Sequence, residues 1–331
     1  MSQKAVFTIC SINYLAQARV LGESLLKFNP EYSFFIGLCD KIEGSGVDKS
    51  KLPDFPIIEA HTIGIENFDW MQENYDITEF NTAIKPFFLQ YFLDQNPEIE
   101  FLYYIDPDIQ FFDKLTVVED GLANHDIVLT PHFYTPVYDD FKMREQEMFV
   151  NGIYNLGFLA VKRSKTVDEF VKWWQTKLAT ECFMDISKGM FVDQLYCNMV
   201  PLYWDSVKIE KYPGLNIAYW NLHERTVSEK EGKFYVNGVP LVFFHYSGID
   251  VNNREGISRW QTRFDFIKRP DLKPVFDQYR DLLISYDNDY FRGIRCYYHK
   301  PEPVPPKKSF IKRALTSSTF RFYRLMESLP I

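Results

Sequence analysis

The chain is expected to fold as an α/β protein, a sheet flanked by helices with a C-terminal helical extension. Three observations predict this. Strand, helix and strand patterns succeed one another within about the first forty residues, and such a βαβ unit requires parallel pairing. Short apolar runs then recur along the chain and end in polar groups, as buried strands of an α/β sheet do. One of them, the apolar and aromatic run Phe101–Ile105, hands over at once to Asp106-Pro107-Asp108. Carboxylates beside such a strand belong at its carboxyl end, where open α/β sheets place ligands.

Ala5–Ile12 reads as the first strand and Leu15–Phe28 as a helix, with Ala18, Leu21, Leu25 and Phe28 at spacings of three and four and Asn13 as its N-cap. Asn29-Pro30 ends that helix, and Ser33–Leu38 forms a second strand. Ile57-Ile58 is a further short apolar run. Thr78–Leu93 has helical spacing, with Pro86 either kinking it or starting its second half. Asp126–Thr130 and Ile153–Val161 read as strands, and helices are expected near Asp139–Phe149, over Val167–Leu178 and around Gly189–Met199. Asn237-Gly238 between two apolar runs signals a hairpin. Two helices, near Arg254–Phe266 and Leu272–Ser285, close the series. Three segments result: a main α/β domain over 1–250, a helical extension over 251–299, and a Pro-rich linker with a basic tail over 300–331.

The 331 residues are 46% hydrophobic and 17% aromatic, enough for a substantial core and against global disorder. The five cysteines are scattered and form no C-x-x-C pair, which predicts free thiols in a reducing compartment. With neither a leader pattern nor a long apolar run, the chain is expected in the cytoplasm or on the cytoplasmic face of a membrane. Its net charge of −8 is uneven: residues 300–331 carry seven basic and two acidic groups, a net of +5, leaving −13 on the rest. An acidic body argues against nucleic acid as a partner. In the tail, Ile311, Leu315, Ser318, Phe322, Leu325 and Leu329 follow spacings of four and three, an apolar stripe broken by one serine and flanked by Lys and Arg. Such a helix at 307–331 suits either an anionic membrane surface or the protein's own body or a second subunit.

No G-x-G-x-x-G follows the first strand, and no P-loop or G-x-S-x-G motif occurs, so dinucleotide, P-loop and serine-hydrolase chemistry lack support. Two hard oxygen donors at Asp106 and Asp108 suit Mg²⁺ or Mn²⁺, although an isolated Asp-x-Asp is more often a solvated turn. A joint reading is stronger. Asn13-Tyr14, Lys85, Asp106-Pro107-Asp108, Asn155-Leu156-Gly157, Asp193-Gln194 and His245-Tyr246-Ser247-Gly248, in that order, resemble the nucleotide-sugar-dependent glycosyltransferases of the GT-A fold, most closely the retaining family 8 type. The resemblance spans roughly residues 5–250.

The resemblance implies a GT-A-like, Rossmann-related mixed sheet and transfer of a hexose from a nucleotide-sugar, a UDP-sugar first among them, to a glycan or glycolipid acceptor with retention. It further implies that Asp106, Asp108 and His245 hold Mn²⁺ or Mg²⁺ against the donor diphosphate. A mixed oxygen and imidazole set fits Mn²⁺ somewhat better. Lys85 supplies a fixed cation, Asn13 and Tyr14 meet the nucleoside, and Asp106 also reaches the ribose. Gly248 belongs to the donor-binding turn. Asn155, Asp193 and Gln194 line the sugar and acceptor side, and bacterial relatives of this kind build cell-surface glycans on lipid anchors. Two departures stand out. Ile249-Asp250-Val251 replaces the usual Lys-Pro-Trp, so Arg254, Arg259 or Arg263 must stand in for the phosphate-binding lysine. Ser11-Ile12-Asn13 also lacks the aspartate that reads uracil. The alternatives are a nucleotidyltransferase, which calls for a glycine-rich loop where Ser11–Ala18 has no glycine, and a catalytically silent binding or scaffold protein.

Overall fold

In the first strand, β1 (Lys4–Cys10), adjacent residues face opposite cores: Val6 and Cys10 pack on one side of the sheet, Ala5, Phe7 and Ile9 on the other. Burial on both faces makes the strand a continuous apolar run instead of an alternating one. The structure, a computed structural model, describes residues 3–300; the basic stripe expected at 307–331 lies outside the described residues. A single helical turn at Ile12–Tyr14 leads into α1 (Leu15–Phe28), followed by β2 (Ser33–Leu38) and β3 (Ile57–Glu59). β2 pairs in parallel with both β1 and β3, as the βαβ pattern requires. Asn13 sits inside the turn, where its Oδ1 accepts from Ser11 Oγ at 2.8 Å. It therefore does not cap α1, whose N-cap position is Tyr14.

Helices α2 (Phe68–Asn74), α3 (Ile77–Ala83) and α4 (Lys85–Gln95) precede β4 (Phe101–Ile105). Pro86 starts α4, and Asp76 and Glu79 close a reciprocal capping box on α3. After β4 come β5 (Ile109–Phe111), α5 (Thr116–Asn124), β6 (Ile127–Pro131), α6 (Glu145–Asn151), β7 (Tyr154–Lys162) and α7 (Lys165–Glu181). The main sheet has seven strands in the order Val207–Ile209, β6, β7, β4, β1, β2, β3. β7 runs antiparallel to both β4 and β6, which makes the sheet mixed. α1 covers one face with Leu15, Ala18, Leu21 and Leu25. α4 and α7 cover the other with Phe88, Phe92, Phe170 and Trp174. This is a GT-A-like, Rossmann-related architecture carrying a C-terminal helical extension.

Several local expectations are corrected. The stretch expected to be helical near Arg254–Phe266 is irregular, and the extension's long helix is Lys273–Ser285. Asp250, Asn253 and Ser258 side chains bond backbone amides two residues on, which competes with helix. Arg280 and Arg263 meanwhile take the carbonyls of Asn253, Gly256, Phe141 and Met143. Around Gly189–Met199 only Gln194–Cys197 is helical: Gly189 is left-handed and Met190–Phe191 pairs with Met184–Asp185. The helix expected from Asp139 begins at Glu145, because Arg263 fixes Asp139 as part of a loop. The Asn237-Gly238 hairpin forms as expected, with φ of 50° and 87° at its two turn residues.

Candidate metal and donor site

The site forms where four backbone segments meet at the end of β4. Asp106 N donates to Gly157 O at 2.8 Å, so antiparallel β7 brings the amino end of its Asn155-Leu156-Gly157 to the aspartate. Strand Phe243–His245 pairs antiparallel with β5, placing His245 opposite Ile109, and Tyr246 N then donates to Asp108 O at 2.8 Å. Residues more than a hundred positions apart in sequence are thus fixed by ladder hydrogen bonds, the most precise scaffold available.

Asp106, Asp108 and His245 each turn a donor atom inward, all within 4.8 Å of one another. His245 Nε2 lies 3.1 Å from Asp108 Oδ1 and 3.7 Å from Asp106 Oδ2. A divalent ion about 2.1 Å from each donor needs donors roughly 3–4 Å apart, so the set fits one. The chemistry fits as well, with two carboxylates and one imidazole around an open side. Burial alone pushes the His245 imidazole down, but Asp108 and Asp106 outweigh it and hold the ring above its ordinary value. Gly157 completes the cradle. A Cβ there would meet His245 Cε1 at 2.5 Å and Asp106 Oδ2 at 2.6 Å.

Lys85 is buried at the start of α4, its Nζ donating to Asp193 Oδ2 at 2.9 Å and Leu156 O at 3.1 Å. Asp106 Oδ1 lies 3.9 Å away. Burial works against charge on both partners. For Lys85 the two carboxylates outweigh it and raise the ammonium above its usual value, while burial leaves Asp193 above the ordinary carboxylate range. The 2.9 Å geometry is that of a charge-assisted hydrogen bond.

Asn155 is also buried, accepting from Asn216 Nδ2 at 3.0 Å and donating to Gln194 Oε1 at 3.3 Å. Gln194 uses its whole amide in structure: Oε1 also accepts from Leu156 N, and Nε2 donates to Asn151 O. Asn13 and Tyr14 line a cavity of about 560 Å³ together with Lys85, Asp106 and Asp108. Gly248 and Arg259 stand apart from that lining. Gly248 has φ of +72°, and a Cβ on it would collide with Trp260; its carbonyl accepts from Arg259 N at 3.0 Å. The Arg259 side chain is exposed and lies over Trp260. Arg254 is paired with Asp281, and Arg263 is buried against Asp139.

Some of the surroundings went unread in the sequence. Tyr104 OH donates to Asp106 Oδ1 at 2.5 Å, and its place two residues earlier on the same strand puts it on the same face, a signal period-two reading would catch. Trp220 lies edge-on to both His245 and His132 at about 5 Å, and nothing local in the sequence announces it. Arg292 and Arg295, from the end of the extension, line the same cavity as the aspartates.

No protein-family model matches the chain. It is 27% identical over 282 residues to the uncharacterized protein YfnF of Bacillus subtilis (strain 168), covering 84% of this chain and 91% of that one. A second protein of the same organism, the uncharacterized YfnD, is 26% identical over 197 residues, 59% of this chain and 61% of that one. Among solved structures, the galactosyltransferase LgtC with donor and acceptor sugar analogues matches at 14% identity and TM-score 0.48, over 85% of this chain and 95% of that one. The glycosyltransferase GlyE of Streptococcus pneumoniae TIGR4 matches at 16% identity and TM-score 0.47, over 88% of this chain and 64% of that one. At such identities and scores, function rests on the chemistry of the site itself.

Proposed function

We propose that the chain is a metal-dependent glycosyltransferase that moves a hexose from a nucleotide-sugar, with a UDP-sugar the first to test, onto a glycan or glycolipid acceptor with retention. The observation that carries this reading is the Asp106, Asp108 and His245 cluster at the edge of the 560 Å³ cavity. The GT-A-like architecture supports it. Asp106, Asp108 and His245 would hold Mn²⁺ or Mg²⁺, which when bound supplies Lewis-acid stabilisation to a departing diphosphate. Asn13 and Tyr14 would receive the nucleoside.

The sugar side is read from what the side chains are already doing. Asp193 is held by Lys85 and Gln194 is spent on backbone groups, so neither is a free nucleophile. Lys85 fixes a positive charge between Asp193 and Asp106 that needs no reorganisation during reaction. This arrangement favours acceptor attack on the face the leaving group departs from, with the diphosphate receiving the acceptor proton.

The test is binding of UDP and of nucleotide-sugars with and without Mn²⁺, followed by thermal shift and calorimetry. Wild-type chain should be stabilised by UDP only with the metal, and Asp108→Ala should lower that affinity at least about tenfold without loss of fold. Equal affinity in the variant, or no metal-dependent binding of any nucleotide-sugar, overturns the reading.

A further inference from the structure

We propose that Arg292 and Arg295 are the diphosphate-binding cations of this site, delivered from the C-terminal extension and not from the residues after His245. The inference rests on the donor reading above and names the groups that meet the donor's phosphates. Three observations carry it.

The first is position. Arg292 and Arg295 line the same cavity as Asp106 and Asp108, Arg292 from the end of helix Asn288–Arg292 and Arg295 from the segment just after it. That segment is anchored at several points. Gln17 Nε2 donates to Asn288 Oδ1 at 3.2 Å, Cys296 Sγ to Cys39 O at 3.4 Å, and Tyr297 N to Asp40 Oδ1 at 2.8 Å. The two guanidinium groups therefore hang from a fixed backbone.

The second is availability. Arg254, Arg263 and Arg269 are spent on carboxylates, and Arg280 on carbonyls. Neither Arg292 nor Arg295 has a carboxylate or carbonyl partner among the described residues, and both are exposed to the cleft. Arg292 lies 4.8 Å over the Tyr14 ring, which leaves its N–H groups unclaimed. Two exposed, unpaired arginines beside a carboxylate cluster that does not neutralise them are in want of an anion.

The third is charge balance. Lys85 and Asp193 cancel as a pair. A divalent ion held by Asp106, Asp108 and His245 would cancel the two carboxylates. Neither set leaves a positive charge for a diphosphate, whose two phosphates each bring a negative one. Arg292 and Arg295 supply that balance, and arginine's planar fork suits phosphate oxygens better than a lysine point charge does. The absent lysine after His245 is thereby replaced from the other end of the chain.

Calorimetry with Mn²⁺ and either UDP or pyrophosphate tests this on the full chain. Arg292→Met keeps an apolar stem on the Tyr14 ring while removing the charge, and Arg295→Met does the same at the second position. Each should weaken both probes about tenfold, the pair about a hundredfold, with a shallower dependence on salt. Arg→Lys at each position should recover part of the loss. Melting temperatures without ligand should not move, since both side chains are exposed. If wild type binds UDP–Mn²⁺ and Asp108→Ala loses it, yet the double Met variant binds both probes as wild type does, this proposal is overturned and the donor reading stands. Wild type that binds neither probe removes the donor reading and this proposal with it.

Discussion

His132 shows what a single buried side chain does to the whole. It is 4% exposed, with Nδ1 donating to Ile153 O at 3.2 Å and Nε2 facing the Asn155 amide at 3.5 Å. That geometry suits only the neutral ring, and burial pushes its pKa down from 6.5 to about 4. Between those values the unfolded chain binds a proton that the folded chain refuses. The stabilisation is therefore complete above pH 6.5 and is lost as pH falls toward 4, a cost of roughly 3 kcal/mol. Urea unfolding of His132→Gln should show a flatter fall in stability across that window than wild type. Parallel curves would mean that His132 titrates normally. No motif marks His132, since burial is a property of the assembled fold and a histidine in a polar, aromatic loop carries no sign of it.

At the scale of elements, β7 decides the site. Running antiparallel to β4, it presents Asn155 and Gly157 on one face by period two, and the bond from Asp106 N to Gly157 O sets their register. Gly157 is required because the space its Cβ would fill is taken by His245, Asp106 and Asn155, the last at 2.9 Å. Gly157→Ala should lower Mn²⁺-dependent nucleotide affinity at least tenfold while costing about 1–3 kcal/mol of stability. Calorimetry and urea unfolding separate the two effects, and an unchanged metal affinity would mean that the cradle is not where the ion sits. The motif Asn-x-Gly was legible in the sequence, as were β1, α1 and β2, because each follows from local pattern, whereas the proline at 86 marked a break that could have been a kink or a helix start. The irregular stretch through residues 251–269 was not legible. Its Ile257, Trp260 and Phe264 follow helical spacing, but Arg263 and Arg280 bind carbonyls that a helix would have used itself. Long-range side-chain bonds overrode local pattern there.

At the scale of the molecule, the chain closes on itself at Asp40. This buried carboxylate follows β2, where its Oδ2 accepts from Ile12 N at 3.1 Å and its Oδ1 from Lys41 N at 2.9 Å and Tyr297 N at 2.8 Å. One side chain thus ties the turn after β1 to the segment that carries Arg292 and Arg295, across 257 positions of sequence. No reading of local spacing could pair Asp40 with Tyr297, which is why the helix Lys273–Ser285 was legible but the extension's place as a wall of the cavity was not. Asp40→Ala would leave the buried amide of Ile12 without its acceptor, at about 1–3 kcal/mol, and would release the amide of Tyr297. Urea unfolding should therefore show a loss of about 1–3 kcal/mol. Asp40→Asn, which keeps one acceptor oxygen, should lose less. Hydrogen exchange should quicken at Ile12 and Tyr297 while β4 and β7 stay protected, because the latch frees one segment and not the sheet. UDP–Mn²⁺ affinity should fall with it, since the two arginines lose their fixed backbone. An unfolding midpoint equal to wild type, with unchanged exchange at Tyr297, would show that the extension is held by its helix packing alone.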